Sequence, residues 1–294
     1  MPRYPIYIPS KNRADVCYTA KYFQSRGVDF QLVVEPSQVE SYELHFPRDI
    51  ILVLPEDNLR LLGSRLWIRE HSIAAGHKRH WQFDDNIRDF KVLHRKKRVH
   101  VDPNFAIEQI EEFTDRYTNI GVSGFNYTMF AHGVLNPFFL NRRVYSASLI
   151  NNEMPYVWRM YYNDDVDLCL QVLAGGMCTV LFNLYLVTKL PTMKVKGGNT
   201  ADLYQGDGRL VMARSIEEVW PQYCRTIWRF GRPQHHVKWG EDVFKQRLIR
   251  DPALDWDAIE KRQYKVSMVV KDPSMVNDLG QSFIDRVNNP MKEG

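Results

Sequence analysis

The sequence predicts an α/β fold, in which a mixed central sheet is flanked by helices. Short apolar runs, each closed by proline or by polar residues, recur near the start of the chain as buried strands do. Segments with helical spacing of apolar residues separate these runs. Hydrophobic residues make up 44% and charged residues 25% of the 294 residues, which is ordinary for a globular protein with a substantial core.

The first ninety residues alternate predicted strands and helices. Strands are predicted over residues 4–9, 30–34, 50–54 and 81–83, and helices over 14–25 and 59–76. This order is typical of a Rossmann-like half of an α/β sheet. Farther along, strands are predicted over 120–126, 144–150 and 179–187, and helices over 105–117 and from 164 onward.

An acidic pair closes the strand at residues 81–83. Asp84 and Asp85 follow it directly and Asn86 comes next, so all three should lie at the carboxyl edge of the sheet, where open α/β sheets bind ligands. Two adjacent carboxylates suit Mg²⁺ or Mn²⁺ with open positions for a diphosphate. The alternative is a turn that caps the next helix.

The polar segment after the first strand is a second candidate site. Ser10, Lys11 and Arg13 stand between Pro9 and the predicted helix, where they and the helix N-terminus could bind a nucleotide. A solvated loop with a helix cap is the alternative. The predicted donor-binding set, which also takes in the ends of neighbouring elements and a later glycine loop, is Pro9, Ser10, Lys11, Arg13, Glu35, Arg65, Arg69, Asp84, Lys196, Gly197, Gly198 and Lys238.

Two members of this set, Arg65 and Arg69, lie four residues apart and should share a helix face. Such a face could neutralise phosphates, although a solvated stripe is the commoner role. The Gly197-Gly198 loop with Lys196 could cradle a phosphate or cover the site, but a Gly-Gly turn alone is weak evidence.

The strongest local positive charge in the chain lies within residues 91–98. The cations are Lys91, Arg95, Lys96, Lys97 and Arg98, and no acidic residue follows until Asp102. Such a run attracts nucleic-acid phosphates regardless of sequence. A hydrophilic loop, or a contact with an acidic protein, would also explain it.

A second acidic cluster opens the helix predicted from residue 164. Asp164 and Asp165 fall at its N-terminus, where the helix dipole favours ionised carboxylates. One of them could act as a general base for an acceptor hydroxyl, and an ordinary helix N-cap is the alternative.

A histidine pair in the C-terminal part of the chain is a further candidate. His235 and His236 are adjacent, so one could complete a metal site and the other could bind substrate.

The net charge and the cysteine content limit the possible partners and cellular compartments. The net charge is only +4, so an anionic partner would have to bind a local cluster of basic residues. The four cysteines lack the spacing of a zinc site or a disulfide framework, which favours a reducing compartment. With neither a signal-peptide pattern nor a membrane-spanning run, we expect a cytoplasmic protein.

The order of these motifs resembles that of GT-A glycosyltransferases. More narrowly, YIPSKNR, WQFDDN, NDDVDL, KVKGGNT and RPQHHVKW, between residues 4 and 239, resemble the TET/JBP-associated glycosyltransferases of bacteriophages, which are related to the base J glucosyltransferase. The third position of Asp84-Asp85-Asn86 departs from a literal Asp-x-Asp motif.

This resemblance implies that a sugar moves from a UDP-sugar to the hydroxymethyl group of 5-hydroxymethylcytosine or 5-hydroxymethyluracil in DNA. It implies Mn²⁺ or Mg²⁺ held by Asp85 and Asp84 with His235 or His236, and Asp165, or secondly Asp164, as the base of an inverting hexosyl transfer. A dioxygenase or hydroxymethylase would make the acceptor, in the host cytoplasm if the gene belongs to a phage.

The implied catalytic domain covers residues 1–250, with a nucleotide-sugar half over about 1–90 and an acceptor half over about 91–250. Residues 251–294 should form a helical extension packed on it. Three alternatives stay open: a polysaccharide or protein acceptor, a metal-dependent nucleotidyltransferase, and a DNA-binding protein without enzymatic activity.

Overall fold

A computed structural model of the protein describes residues 1–94, 96–131, 136–190 and 208–260. The strands are β1 (Ile6–Pro9), β2 (Gln31–Val34), β3 (Ile51–Val53), β4 (Arg79–Phe83), β5 (Ile87–His94), β6 (Lys97–His100), β7 (Ile120–Tyr127), β8 (Phe138–Leu140), β9 (Ala147–Asn151), β10 (Cys178–Lys189), β11 (Cys224–Arg229) and β12 (Arg232–Val237). The α-helices are α1 (Tyr18–Ser25), α2 (Val39–Glu43), α3 (Arg60–Ala74), α4 (Pro103–Thr114), α5 (Asp164–Ala174) and α6 (Gly208–Val219).

A mixed central sheet dominates residues 1–250 and confirms the predicted α/β fold. Over the described residues its order is β3-β2-β1-β4-β9-β7-β10-β5-β6, and β8 pairs with β10. The first four strands are parallel, whereas β9 runs antiparallel to both β4 and β7. This reversal places the start of β9 beside the end of β4, with Ala147 opposite Phe83.

The core between sheet and helices is rich in aromatic side chains. Phe83 and Phe90 both pack on Phe125, at ring-centroid distances of 6.1 and 5.1 Å. Trp81 is fully buried, and its indole N–H donates to Glu111 Oε1 of α4 at 2.8 Å. Each such ring contributes roughly 1.5–3 kcal/mol through burial, so the strand that carries the acidic pair is firmly anchored.

Several element boundaries differ from the predicted ones for local reasons. The helix predicted from residue 14 begins as a short 3-10 turn, Ala14–Val16, and becomes α-helical only at Tyr18. The strand predicted from 144 begins at Ala147 because Ser146 has a φ of +63°, which extended backbone does not adopt. The helix after the second acidic cluster begins at Asp164, as predicted.

The chain divides into two compact units, residues 1–250 and residues 251–294. Only residues 251–260 of the second unit are described, so the predicted helical extension falls largely outside the described residues and stays a prediction. In the described part of the chain, no helix is both long and apolar enough to cross a bilayer.

Candidate active site

A pocket opens at the carboxyl ends of β1, β2 and β4. It brings together seven residues that the sequence analysis proposed for donor or metal binding: Pro9, Ser10, Lys11, Arg13, Glu35, Asp84 and Asp85. Arg60 and Ser64 from the first turns of α3, and Lys189 at the end of β10, complete its polar lining together with Asn86. The strand ends and the helix N-terminus thus converge, as expected for an open α/β sheet.

Lys11 is held at this pocket by an acidic partner. Its ammonium lies 2.8 Å from a carboxylate oxygen of Glu35, and Glu35 also accepts the backbone N–H of Asn58 at 3.0 Å. The Glu35 side chain is nearly buried, whereas that of Lys11 is one-third exposed. The cation is therefore positioned by the protein and remains accessible to an anionic ligand.

Asp85 connects the acidic motif to the loop that follows β1. Its two oxygens accept hydrogen bonds from Arg13 Nη1 at 2.6 Å and from Ser10 Oγ at 2.9 Å, and the hydroxyl of Tyr42 donates in turn to Ser10. Burial raises the pKa of Asp85, although Arg13 and Ser10 oppose the shift. Both oxygens are thus committed to protein donors.

Asp84 lies at the centre of a different network. Its Oδ2 accepts hydrogen bonds from Lys189 Nζ at 2.5 Å and from Ser146 Oγ at 2.6 Å. Arg65 Nη2 stands 3.6 Å from Oδ1. Burial alone would raise the pKa of Asp84, but the charges of Lys189 and Arg65 outweigh it and lower the pKa to about 2. The carboxylate is therefore ionised at neutral pH.

Arg65 connects this network to the second acidic cluster. Its Nε lies 2.8 Å from Asp164 Oδ2, and its Nη1 donates to Gln82 at 3.1 Å. Burial raises the pKa of Asp164 to about 6; the charge of Arg65 opposes this shift, and the nearby carboxylates of Asp165 and Asp84 add to it. The helix start predicted as the base site therefore lies beside the end of β4.

The other acids of this helix have different partners. Asp165 accepts from Arg143 Nε at 3.0 Å and from Arg143 Nη2 at 2.5 Å. Asp167 is fully buried and accepts from Arg159, Gln171 and the indole N–H of Trp220. Asp167 is thus a structural anchor for the helix, whereas Asp164 and Asp165 remain candidate bases.

Asp84 and Asp85 share the pocket, but neither His235 nor His236 completes a metal-binding group with them. Among the described residues, no group of three His, Cys, Asp or Glu side chains is arranged to hold a metal ion. His235 lies near Arg143 and Asp165; burial, aided by Arg143, lowers its pKa to about 4. His236 is exposed on the opposite face of its strand. One motif oxygen, Asn86 Oδ1, is buried without a hydrogen-bond partner, but a single amide oxygen is a poor divalent site.

Some predicted donor-binding residues lie elsewhere. Arg69 Nη2 donates to the carbonyl oxygens of Asn152 and Met154, at 3.0 and 2.9 Å, so this side chain holds the loop after β9. Lys238 is exposed just after β12, and neither residue lines the pocket at the ends of β1, β2 and β4. The glycine loop, Lys196, Gly197 and Gly198, lies outside the described residues.

The basic run is placed on the outer edge of the sheet. Lys96 and Lys97 are exposed at the start of β6, whereas Arg98 donates to the carbonyl oxygen of Ala131 and Lys91 pairs with Asp89 at 3.6 Å. Arg95 is outside the described residues. Lys96 and Lys97 of the run are thus exposed to solvent.

Three residues that bind the predicted acids were not predicted from the sequence: Lys189, Arg143 and Ser146. Lys189 had a usable signal, since it is a cation that closes a long apolar strand at the sheet edge expected to bind ligands. The other two lie in an irregular segment without periodicity, where Ser146 adopts positive φ.

Comparison with known proteins identifies a family for this chain. The sequence profile of the TET-associated glycosyltransferase family matches residues 4–198, about two-thirds of the chain. A search of curated proteins returns no match. Among solved structures, the inositol-1-phosphate CTP transferase from T. maritima superposes with a TM-score of 0.37 and 12% identity, over 73% of this chain and 96% of that one. That similarity is too low to bear on function.

The matched residues 4–198 include the residues that line the pocket, both acidic clusters and Lys189. The same stretch holds the YIPSKNR, WQFDDN and NDDVDL segments that resemble this family. The chain therefore belongs to the TET-associated glycosyltransferase family.

Proposed function

We propose that the protein transfers a sugar from a UDP-sugar to the hydroxymethyl group of 5-hydroxymethylcytosine or 5-hydroxymethyluracil in DNA. The observation that supports this best is the unbroken chain of contacts from Lys189 in the donor pocket, through Asp84 and Arg65, to Asp164. It links a site suited to an anionic donor with a carboxylate suited to deprotonating an acceptor. A dioxygenase or hydroxymethylase would supply that acceptor.

The protein's own cations stabilise the leaving diphosphate in this proposal. Lys11, Arg60 and Lys189 all line the pocket, and the N-terminus of α3 lies beside them. As the bond between the anomeric carbon and the diphosphate breaks, negative charge grows on the departing oxygen. Fixed donors in a partly buried site stabilise such charge without reorganising. Lys189, which lines the pocket beside Asp84, is the cation best placed to do so.

Asp164 is the proposed general base, ahead of Asp165. A base with a pKa near 6 remains ionised at neutral pH and still binds a proton well. Asp165 is instead held by two hydrogen bonds from Arg143. Asp164 takes the proton of the acceptor hydroxyl, the oxygen bonds to the anomeric carbon, and UDP leaves from the opposite face, which inverts that centre.

The described residues do not fit the predicted Mn²⁺ or Mg²⁺. Both oxygens of Asp85 accept from Arg13 and Ser10, and Asp84 is paired with Lys189. A divalent ion at Asp84 would have to displace or closely approach the Lys189 ammonium, which is unfavourable between like charges. No step of the proposed mechanism therefore uses a metal, and the predicted metal dependence remains to be measured.

A DNA acceptor is supported by exposed positive charge. Lys96 and Lys97 are accessible on the sheet edge, and a phosphate-contacting surface gives binding that weakens steeply with salt. A neutral polysaccharide acceptor would leave these cations without a role and would give salt-insensitive binding.

The proposal is tested by incubating the protein with a panel of UDP-sugars and DNA that contains either modified pyrimidine, with parallel Mn²⁺, Mg²⁺ and EDTA arms. Nucleoside mass spectrometry should show a gain of one sugar residue together with UDP release, and NMR of the product should show inversion. UDP release with no mass gain would refute the DNA acceptor. Pyrophosphate release in a parallel arm that supplies nucleoside triphosphates in place of UDP-sugars would indicate nucleotidyl transfer instead.

A further inference from the structure

The β11–β12 hairpin has an unusual tip. The two strands pair in register up to Arg229 opposite Arg232, which leaves Phe230 and Gly231 as a two-residue turn with φ values of +54° and +69°. Positive φ at both positions is the type I′ geometry, for which Asn-Gly is the preferred sequence. A bulky aromatic residue is strained there, so turn formation does not explain the choice of phenylalanine.

Large rings are exposed along the outer part of this hairpin. Trp228 is 75% and Phe230 is 78% exposed, and the guanidinium of Arg229 lies 4.9 Å from the Phe230 ring centroid. All seven tryptophans of the chain lie in the described residues, and only Trp228 is exposed. Neighbouring exposed apolar groups that are rimmed by polar residues commonly mark a binding surface.

The hairpin is also strongly basic. Residues 220–240 contain Arg225, Arg229, Arg232 and Lys238 and no Asp or Glu, although the whole chain has 39 basic and 35 acidic residues. Both arginines next to the turn, Arg229 and Arg232, are exposed. Cations interleaved with exposed rings match the chemistry of single-stranded nucleic acid, in which bases stack on aromatic side chains and phosphates pair with arginine.

One face of the hairpin leads to the second acidic cluster, at Asp165. Directly opposite residues share a face in an antiparallel pair, and alternate residues along a strand do so as well. Trp228, Thr226 and His235 therefore project from the same face, with Thr226 opposite His235. His235 is the half-buried member and lies near Asp165 and Arg143, so the face runs from the acidic cluster out to Trp228.

We propose that the β11–β12 hairpin is a DNA-binding element, in which Trp228 and Phe230 stack on unpaired bases beside the acceptor nucleotide and Arg229 and Arg232 bind the flanking phosphates. This proposal rests on the proposed DNA acceptor. An acceptor base must leave the duplex stack, or be single-stranded, to enter a deep site, and exposed rings beside that site stabilise the bases that become unstacked.

The test compares wild type with Trp228→Ala/Phe230→Ala and with Arg229→Ser/Arg232→Ser. Phe105→Ala removes a half-exposed ring on α4, and Arg26→Ser/Arg48→Ser removes two exposed cations elsewhere, so these are matched controls. Binding of labelled single- and double-stranded DNA is measured by fluorescence anisotropy over a salt series. UDP release without acceptor checks that each variant has an intact donor site.

Loss of the two rings should weaken single-strand binding by about tenfold or more per stacked base. Loss of the two arginines should reduce the slope of log K against log salt by about 1.4, since each single-strand phosphate contact contributes about 0.7. Wild-type tryptophan emission should be quenched by DNA, and Trp228→Phe should abolish the quenching while retaining most of the affinity. The controls should leave binding unchanged.

Sugar transfer to DNA by wild type with unaltered binding in both hairpin variants would overturn the hairpin proposal and leave the proposed function standing. UDP release by a wild type that binds no DNA would refute the acceptor and the hairpin role together. A change in oligomeric state, without a change in DNA affinity, would assign the hairpin to self-association and would also overturn the proposal.

Discussion

Replacing Lys189 with methionine tests whether this one cation contributes to stability alone or also to catalysis. The Lys189 ammonium lies 2.5 Å from Asp84, and the side chains of the pair are 16% and 24% exposed. Removing one partner of a fully buried pair costs about 3–5 kcal/mol. Because Asp84 keeps Ser146 and Arg65 and is partly exposed, we expect a loss of about 2–3 kcal/mol in the free energy of unfolding.

The stability effect has a defined pH dependence. The folded-state pKa of Asp84, about 2, lies below its unfolded value of about 3.9. The contribution of the pair is therefore fully present above the unfolded value and is lost as the pH falls toward 2. The difference between wild type and Lys189→Met in urea unfolding should be constant near neutral pH and should shrink below about pH 4.

The catalytic effect should be larger than the structural one. Loss of a single preorganised donor to developing negative charge typically lowers kcat by about 10²–10³, or about 2.7–4 kcal/mol. UDP release by Lys189→Met should fall by this factor, Lys189→Arg should retain part of the activity, and Lys21→Met, which removes an exposed lysine on α1, should have no effect. A folded Lys189→Met variant with UDP release within about threefold of wild type would refute the catalytic role of this cation.

Three further predictions concern other parts of the site. Below pH 6 the turnover of wild type should fall, because the base must be ionised and the pKa of Asp164 is about 6; in Asp164→Asn turnover should be lost, and a wild-type inflection near pH 4 would argue against this base. Asp85→Ala should lower the free energy of unfolding by about 3–5 kcal/mol, because it removes the buried ion pair with Arg13 and the hydrogen bond from Ser10; calorimetry that shows less than about 1 kcal/mol would contradict this structural role. Replacing Lys96 and Lys97 with serine should reduce the salt slope of duplex binding by about 1.8, at about 0.9 per phosphate contact, and leave UDP release unchanged; an unaltered slope would remove this edge from the DNA interface.

Local sequence patterns predicted where the acidic motif lies but not how it is paired. The apolar run before Asp84 identifies a buried strand, and the order of elements places its end at the ligand-binding edge. The partner of Asp84, however, lies 105 residues later in the chain, at Lys189. That contact depends on the strand order in the sheet, in which β9, β7 and β10 follow β4 and β9 reverses direction, and no short motif encodes such an order.

The histidine pair shows a second limit of sequence reasoning. The order of motifs in the sequence predicts that His235 or His236 joins Asp84 and Asp85 at a metal site. The hairpin instead places His235 beside Asp165 and Arg143. Its position is fixed by packing of the β11–β12 strands near α6 and by the buried Cys224 and Val237, which pair across the hairpin, and these are tertiary contacts.

The two adjacent aspartates also have consequences for how related sequences should vary. Asp85 belongs with Arg13 and Ser10, whereas Asp84 belongs with Lys189 and Ser146. A lineage that replaced Lys189 would leave Asp84 with Ser146 and Arg65 as its partners and would not disturb the contacts of the loop after β1. Residue 189, at the end of β10, should therefore vary independently of the loop after β1, whereas Asp85 and Arg13 should change only together.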